Sequence, residues 1–254
     1  MIIREQKQTI TMIEQNHHAH LSAEIIKNWQ DIFFKNDPYF ESVLYAIKYH
    51  DYGWYHFDKQ PFLNDDTQLP YSFIDFPVLP KTVLYTQGVD KVEEVDAYAA
   101  ALCSTHYMRF MENNTRPEVQ TYMAHEKKRT KRILTDLAID QATFDDHVAL
   151  LQFADNISLY VCLNEPGVSQ SNVHFFFKDG IPIALNSALI TQSKIQAEWL
   201  DNQTLKLTGL PFVPSFSISI KQKVLNKQMI EETGLINAYE TQPYEQIKIN
   251  FELS

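Results

Sequence analysis

Four stretches of this sequence put a metal-capable side chain on a helix face that the apolar pattern reserves for the core. In the string His17-His18-Ala19-His20 only His18 does so. His18, Leu21, Ile25 and Trp29 fall on one helical face, whereas His17, His20 and Glu24 fall on the opposite, polar one. The doublet His50-Asp51 ends a second stripe, His50 continuing the row of Val43 and Ile47, and Asp51 the row of Leu44 and Ile47. His106 shares a face with Val95, Ala99 and Leu102, and Asp155 shares one with Val148, Leu151, Ser158 and Cys162.

A carboxylate buried without a partner is expensive, so Asp51 and Asp155 need a cation or a full set of hydrogen bonds. One such residue says little. Four are better explained by a common centre in which a cation neutralises the acids and the imidazoles serve as ligands. A mixed His/Asp shell suits a divalent ion of the Mn, Fe, Co or Mg class more than a thiolate-seeking one. The remaining histidines read as surface or loop residues. His125 lies beside Thr121 and Arg129, His147 beside Asp145 and Asp146, and His56 and His174 follow no inward stripe.

The elements that must position these residues are helical over roughly 17–29, 39–51, 92–111, 118–137 and 144–163. Alternation around Ile10 and Met12 predicts a short strand ahead of them. Between Tyr52 and Lys81 a proline-rich stretch carries Trp54, Tyr55, Phe57, Tyr71, Phe73 and Phe76 and reads as a long ordered loop. Its aromatics could wall a pocket or simply pack the loop down. Asn164-Glu165-Pro166-Gly167 stops the last helix. Beyond it Phe175 and Phe177, Leu205 and Leu207, Phe216, Ile218 and Ile220, and Ile247, Ile249, Phe251 and Leu253 alternate with polar neighbours. The expected class is therefore α+β: a helical metal-binding core over 1–168 and a β-rich region over 169–254, packed on the core or separate.

With 254 residues, 44% of them hydrophobic and only six Gly, the chain can bury a sizeable core. A formal net charge of -10 disfavours broad nucleic-acid binding. The one basic run, Lys127, Lys128, Arg129, Lys131 and Arg132, reads as a solvated helix face or as an anion-attracting patch. Cys103 and Cys162 lack zinc-site or disulfide spacing and read as buried thiols. No window reaches the roughly 18 apolar residues of a membrane span. The N-terminal string has no apolar signal core, which gives a cytoplasmic expectation. A homodimer surface on the β-rich region is left open.

The order of these residues, a lone His on an early helix, a His-Asp pair ending a later one and a distant Asp on a last helix, resembles the HD-domain superfamily. That superfamily consists mainly of metal-dependent phosphohydrolases. Local strings are similar to a bacterial branch of HD-like proteins: Gln15-Asn16-His17-His18-Ala19, His50-Asp51-Tyr52-Gly53-Trp54, Asp75-Phe76, Ser104-Thr105-His106 and Asp155-Asn156-Ile157-Ser158-Leu159-Tyr160. A bare His-Asp dipeptide carries no information; HDxGW with SxH and DxxSLY downstream carries more. The resemblance implies that His18, His50, Asp51 and Asp155 bind a metal ion and that His106 corresponds to the extra histidine of dinuclear members. It also implies catalytic roles for Asp51 and His106 and a small phosphorylated substrate. The fullest dinuclear pattern has a further inward histidine that His125, by its helical position, does not supply. One ion is thus expected, with a second left open and Asp75 as an outer ligand. Two other outcomes are left open, a non-catalytic metal-stabilised binding module and a di-iron oxygenase.

Overall fold

Chain order runs from a β-hairpin through a set of helices to a group of strands that takes the hairpin back into its own sheet. The computed structural model describes residues 1–30, 36–185 and 192–253. Strands β1 (Ile2–Glu5) and β2 (Thr9–Ile13) pair antiparallel, Ile2 opposite Ile13. Helices α1 (Gln15–Ile26), α2 (Phe40–Tyr49), the short α3 (Tyr55–Lys59), α4 (Val78–Glu93), α5 (Ala97–Arg109), α6 (Pro117–Asp136) and α7 (Gln141–Leu163) follow. Then come β3 (Ile181–Pro182), β4 (Lys194–Ile195), β5 (Ala197–Trp199), β6 (Thr204–Leu207), β7 (Ser215–Asn226), helices α8 (Lys227–Thr233) and α9 (Leu235–Thr241), and β8 (Glu245–Leu253). The class is α+β.

The main sheet has the order β1-β2-β7-β8-β6-β5, all neighbours antiparallel except β6 and β8. It therefore draws strands from both sides of residue 168. Ile218 faces Ile249 across β7 and β8, and Ile220 faces Ile247. The alternation of β7 and β8 puts Ile218, Ile220, Ile249 and Phe251 into the core. Arg4 of β1 reaches the far end of α7, donating from Nη1 to the Asn164 carbonyl at 2.8 Å and from Nη2 to Gln222 Oε1 at 2.8 Å. A cation at a helix C-terminus satisfies carbonyls the helix cannot pair, so the hairpin holds down the helix that carries Asp155.

Several expected elements differ from the observed ones. The stretch after Tyr52 opens with a 3-10 turn over Tyr52–Trp54 and the short α3, is a loop only over 60–77, and gives way to α4 at Val78. Pro80 lies in the first turn of this helix, where its missing N–H has no intrahelical partner to lose. The helix expected over 92–111 is two helices. Asp96 stops the join and caps α5, accepting from the Ala99 N–H at 2.9 Å, and Val95 lies exposed in the break rather than on the His106 face. Phe175–Phe177 form a 3-10 turn, not a strand, and 227–241 are helical, opened by Asn226, which accepts from the Gln228 N–H at 2.8 Å. A short alternating run cannot distinguish a strand from such a turn.

The charged surface also reads differently in place. Lys127, Lys128 and Lys131 are exposed. Arg129, though, is buried against Asp90 at 2.5 Å and Glu93 at 2.6 Å, and Arg132 pairs with Glu93. Two of the five basic residues thus tie α6 to α4. Both cysteines are buried and free.

Candidate metal centre

His18, the doublet His50-Asp51, His106 and Asp155 come from four separate stretches of the chain and are all buried. Their ligand atoms form two overlapping groups, His18/His50/Asp51 and His50/His106/Asp155, each within 4.8 Å. Buried His and Asp groups so placed could hold a metal ion.

Each side chain is set by its own element. Strand β2 runs directly into α1, which packs between β7 on one side and α2 and α7 on the other. This fixes His18 against Asp155 of α7, Nε2 to Oδ1 at 2.8 Å. On its other side His18 Nδ1 is 2.7 Å from Ser158 Oγ, whose own proton goes to the Asp155 carbonyl at 3.0 Å. Ser158, itself 2.6 Å from Ser22 Oγ, thus stands behind the ring, which leaves Nε2 to face the centre. Such partners behind an imidazole orient it and fix its tautomer.

His50 is held in the same manner. It closes α2, and its Nδ1–H donates to the Ile47 carbonyl at 2.7 Å, an acceptor the helix end leaves free. Its Nε2 then faces Asp155 Oδ1 at 3.5 Å and Asp51 Oδ2 at 3.7 Å, buried and with no hydrogen-bond partner. Asp51 follows as the first residue of a 3-10 turn over Tyr52–Trp54 and accepts from Gln15 Nε2 at 3.0 Å. His106, on α5, brings Nε2 to 3.8 Å from Asp155 Oδ2.

The electrostatics follow from burial and proximity. Burial works against a charge on His50, but Asp51 and Asp155 beside it push it up to about 9. Burial likewise opposes ionisation of Asp155. The imidazoles of His18 and His50 beside it outweigh burial and hold Asp155 well below the usual carboxylate range. Asp51 is raised by burial against the pull of His50 and His18. His106 is driven down to about 3 by burial, against the pull of Asp155. A divalent cation bound among the two acids and three imidazoles would displace protons held there. The orphaned Nε2 of His50 and the hard, anionic oxygens beside it fit such an ion.

Other candidates lie elsewhere. Asp75 accepts from Ser72 N at 2.7 Å, Ser72 Oγ at 2.6 Å and Asn64 Nδ2 at 3.2 Å, which folds the loop, and it belongs to neither group. His125 is exposed beside Glu126. His147 is buried, not on the surface, its Nδ1 2.6 Å from the Tyr98 hydroxyl. His17 and His20 point away from the centre, but they are half-buried against Tyr244 and Tyr49 because α1 is covered on that side by the sheet and α2.

A cavity of about 430 Å³ opens onto the cluster, with Asp51, His106 and Asp155 in its wall. Trp54 and Phe73 of the aromatic loop reach it, whereas Phe57 and Tyr71 pack on Phe76 at 5.6 Å. Three lining residues escaped sequence reasoning: Gln15, three before His18, and Arg109, three after His106, share faces with cluster members, and Asn156 adjoins Asp155. Lys81 had no such signal.

Fold and site together define an α+β protein with a buried His/Asp cluster at the floor of a cavity. The chain belongs to the family described as "Protein of unknown function (DUF3891)", which it matches over residues 1–227, a span that contains the whole cluster. No curated protein and no solved structure matches it. Among the described residues no helix is long and apolar enough to cross a membrane.

Proposed function

We propose that this protein is a metal-dependent phosphohydrolase of the HD-like type, acting on a small phosphate ester. The reading rests on one observation. Asp51, His106 and Asp155, members of the candidate ion site, also wall a cavity whose described lining holds two cations, Lys81 and Arg109. A carboxylate-bearing centre facing basic side chains suits an anionic substrate that bridges the two.

In this reading His18, His50, Asp51 and Asp155 hold one divalent ion of the Mn, Fe, Co or Mg class, with His106 completing the shell or serving a second ion. The bound ion would supply Lewis acidity toward a phosphoryl oxygen and lower the pKa of a water molecule. Asp51 orients the attacking water, and Gln15 holds Asp51 through the 3.0 Å hydrogen bond. Burial keeps His106 neutral at neutral pH, which favours it as a ligand or proton acceptor over a donor to the leaving oxygen. Lys81 and Arg109 hold the phosphate oxygens.

The test is turnover of p-nitrophenyl phosphate and its bis-ester by protein loaded with Mn, Fe, Co or Mg in turn. Turnover is expected with metal, lost on chelation and lost in Asp51→Ala. A protein that retains a stoichiometric ion yet turns over neither ester with any metal would retire the hydrolase reading in favour of a metal-stabilised binding module.

A further inference from the structure

The cavity beside the candidate ion site is far more apolar than a phosphate alone requires. Trp54, Phe73, Tyr85 and Leu159 line its wall, and at its mouth stand Ile74, Phe110 and Phe176. The mouth residues are among the exposed large apolar side chains, at 43%, 56% and 42%. They come from three separate segments: the loop before α4, the end of α5 and the 3-10 turn after α7. Apolar groups gathered at the opening of a pocket mark a surface that is covered when the pocket is filled.

Much of the polar lining is already engaged, although Gln15 Oε1 is a buried acceptor without a partner. Gln15 Nε2 is committed to Asp51, and Asn156 Nδ2 donates to the Pro182 carbonyl at 3.2 Å. Asp51, Asp155 and His106 belong to the candidate ion site. That leaves Lys81 and Arg109 for an anionic group and few partners for a row of hydroxyls. A sugar-like body would lose its hydrogen bonds to water on entering and regain few of them.

Resting on the phosphohydrolase reading, we infer that the substrate joins its phosphate to an apolar, ring-sized body rather than to a polyhydroxylated one. The phosphate meets Lys81 and Arg109, and the body lies against Phe110, Phe176 and Ile74. These residues are then the specificity determinants of the site.

Calorimetric titration of the manganese-loaded protein with phosphonates that are not hydrolysed tests this without relying on turnover. The probes are methylphosphonate, 2-hydroxyethylphosphonate and phenylphosphonate. Phenylphosphonate is expected to bind about tenfold tighter than either of the others, the scale of a desolvated aromatic contact. In the double variant Phe110→Ser, Phe176→Ser that preference should fall to about threefold or less while methylphosphonate binding is kept. Because both rings are largely exposed, the variant should fold as the parent does. Arg109→Gln should weaken all three by a similar factor, through loss of a charge-assisted hydrogen bond. Equal affinities, or a preference for the hydroxyethyl compound, would overturn the inference and leave the hydrolase reading standing. No binding of any phosphonate to the metal-loaded protein would overturn both.

Discussion

A Cβ placed on Gly88 would lie 2.5 Å from the backbone nitrogen of Gly53, so α4 and the turn after His50-Asp51 meet backbone to backbone. The reverse holds as well: a Cβ on Gly53 would lie 2.4 Å from the Leu84 carbonyl oxygen. In an ordinary exposed helix Gly→Ala gains about 1 kcal/mol. Here Gly88→Ala should instead lower stability, since overpacking typically costs about 1–3 kcal/mol. It should also weaken metal retention, because the strained turn begins at Asp51. Urea unfolding and metal content of the purified variant check both; a variant as stable as the parent would show that the two segments can separate freely.

This contact also marks where sequence reading stops. His18 and Asp155 were legible because long periodic helices fix which way they face, and the apolar stripes around them are regular. Helix α4 was not, because Pro80 and Gly88 look like breakers until the first is seen to occupy an unpaired N-terminal position and the second a backbone crossing. His147 was misjudged from its neighbours Asp145 and Asp146. Both carry the helix's polar edge, while His147 itself turns inward to Tyr98. The joining of β2 to β7 and of β6 to β8 is a long-range pairing that no local pattern encodes. The clustering of these residues was therefore readable, and the cavity that opens on the cluster was not.

The three histidines at the start of α1 give a direct test of the centre. His18 is enclosed by Asp155 and Ser158, whereas His17 and His20 face Tyr244 and Tyr49. His18→Ala should lose the ion, and His17→Ala and His20→Ala should keep it, as read by elemental analysis of each purified protein. Equal loss in all three would mean that the cluster is not the binding site.

Asp51 should show opposite effects with and without metal. It is buried, and the hydrogen bond from Gln15 with the imidazoles of His50 at 3.7 Å and His18 at 3.9 Å does not fully offset the cost of leaving water, so its pKa is raised. Asp51→Asn removes the charge and keeps an oxygen that can accept from Gln15. In chelator the variant should therefore melt at or above the parent's temperature. On adding metal the parent should gain stability as ligand binding to the folded state requires, and the variant should gain little. A variant that is less stable than the parent in chelator, yet equally stabilised by metal, would place the ion away from Asp51.

Far from the centre, His147 should make stability depend on pH. Its Nδ1 meets the Tyr98 hydroxyl at 2.6 Å, and its Nε2 lies 3.4 Å from Asp37 Oδ2. A neutral ring that donates to Asp37 and accepts from Tyr98 satisfies both. Burial lowers its pKa below the ordinary value, outweighing the opposing pull of Asp37, Asp146 and Asp140. The unfolded chain, with an imidazole near about 6.5, then binds the proton more readily than the folded one. The sign follows: the stabilising contribution is full above that value and is lost as pH falls through it toward the folded pKa. Urea midpoints should therefore drop more steeply for the parent than for His147→Gln between about pH 7.5 and pH 5.5, the window that brackets the unfolded value. The other half-buried histidines, His17, His20 and His174, are shifted in the same direction and are common to both proteins, so the difference between the two slopes isolates His147. Parallel slopes would mean that its ring is free to take up the proton in the folded state, with Asp37 close enough to compensate for burial.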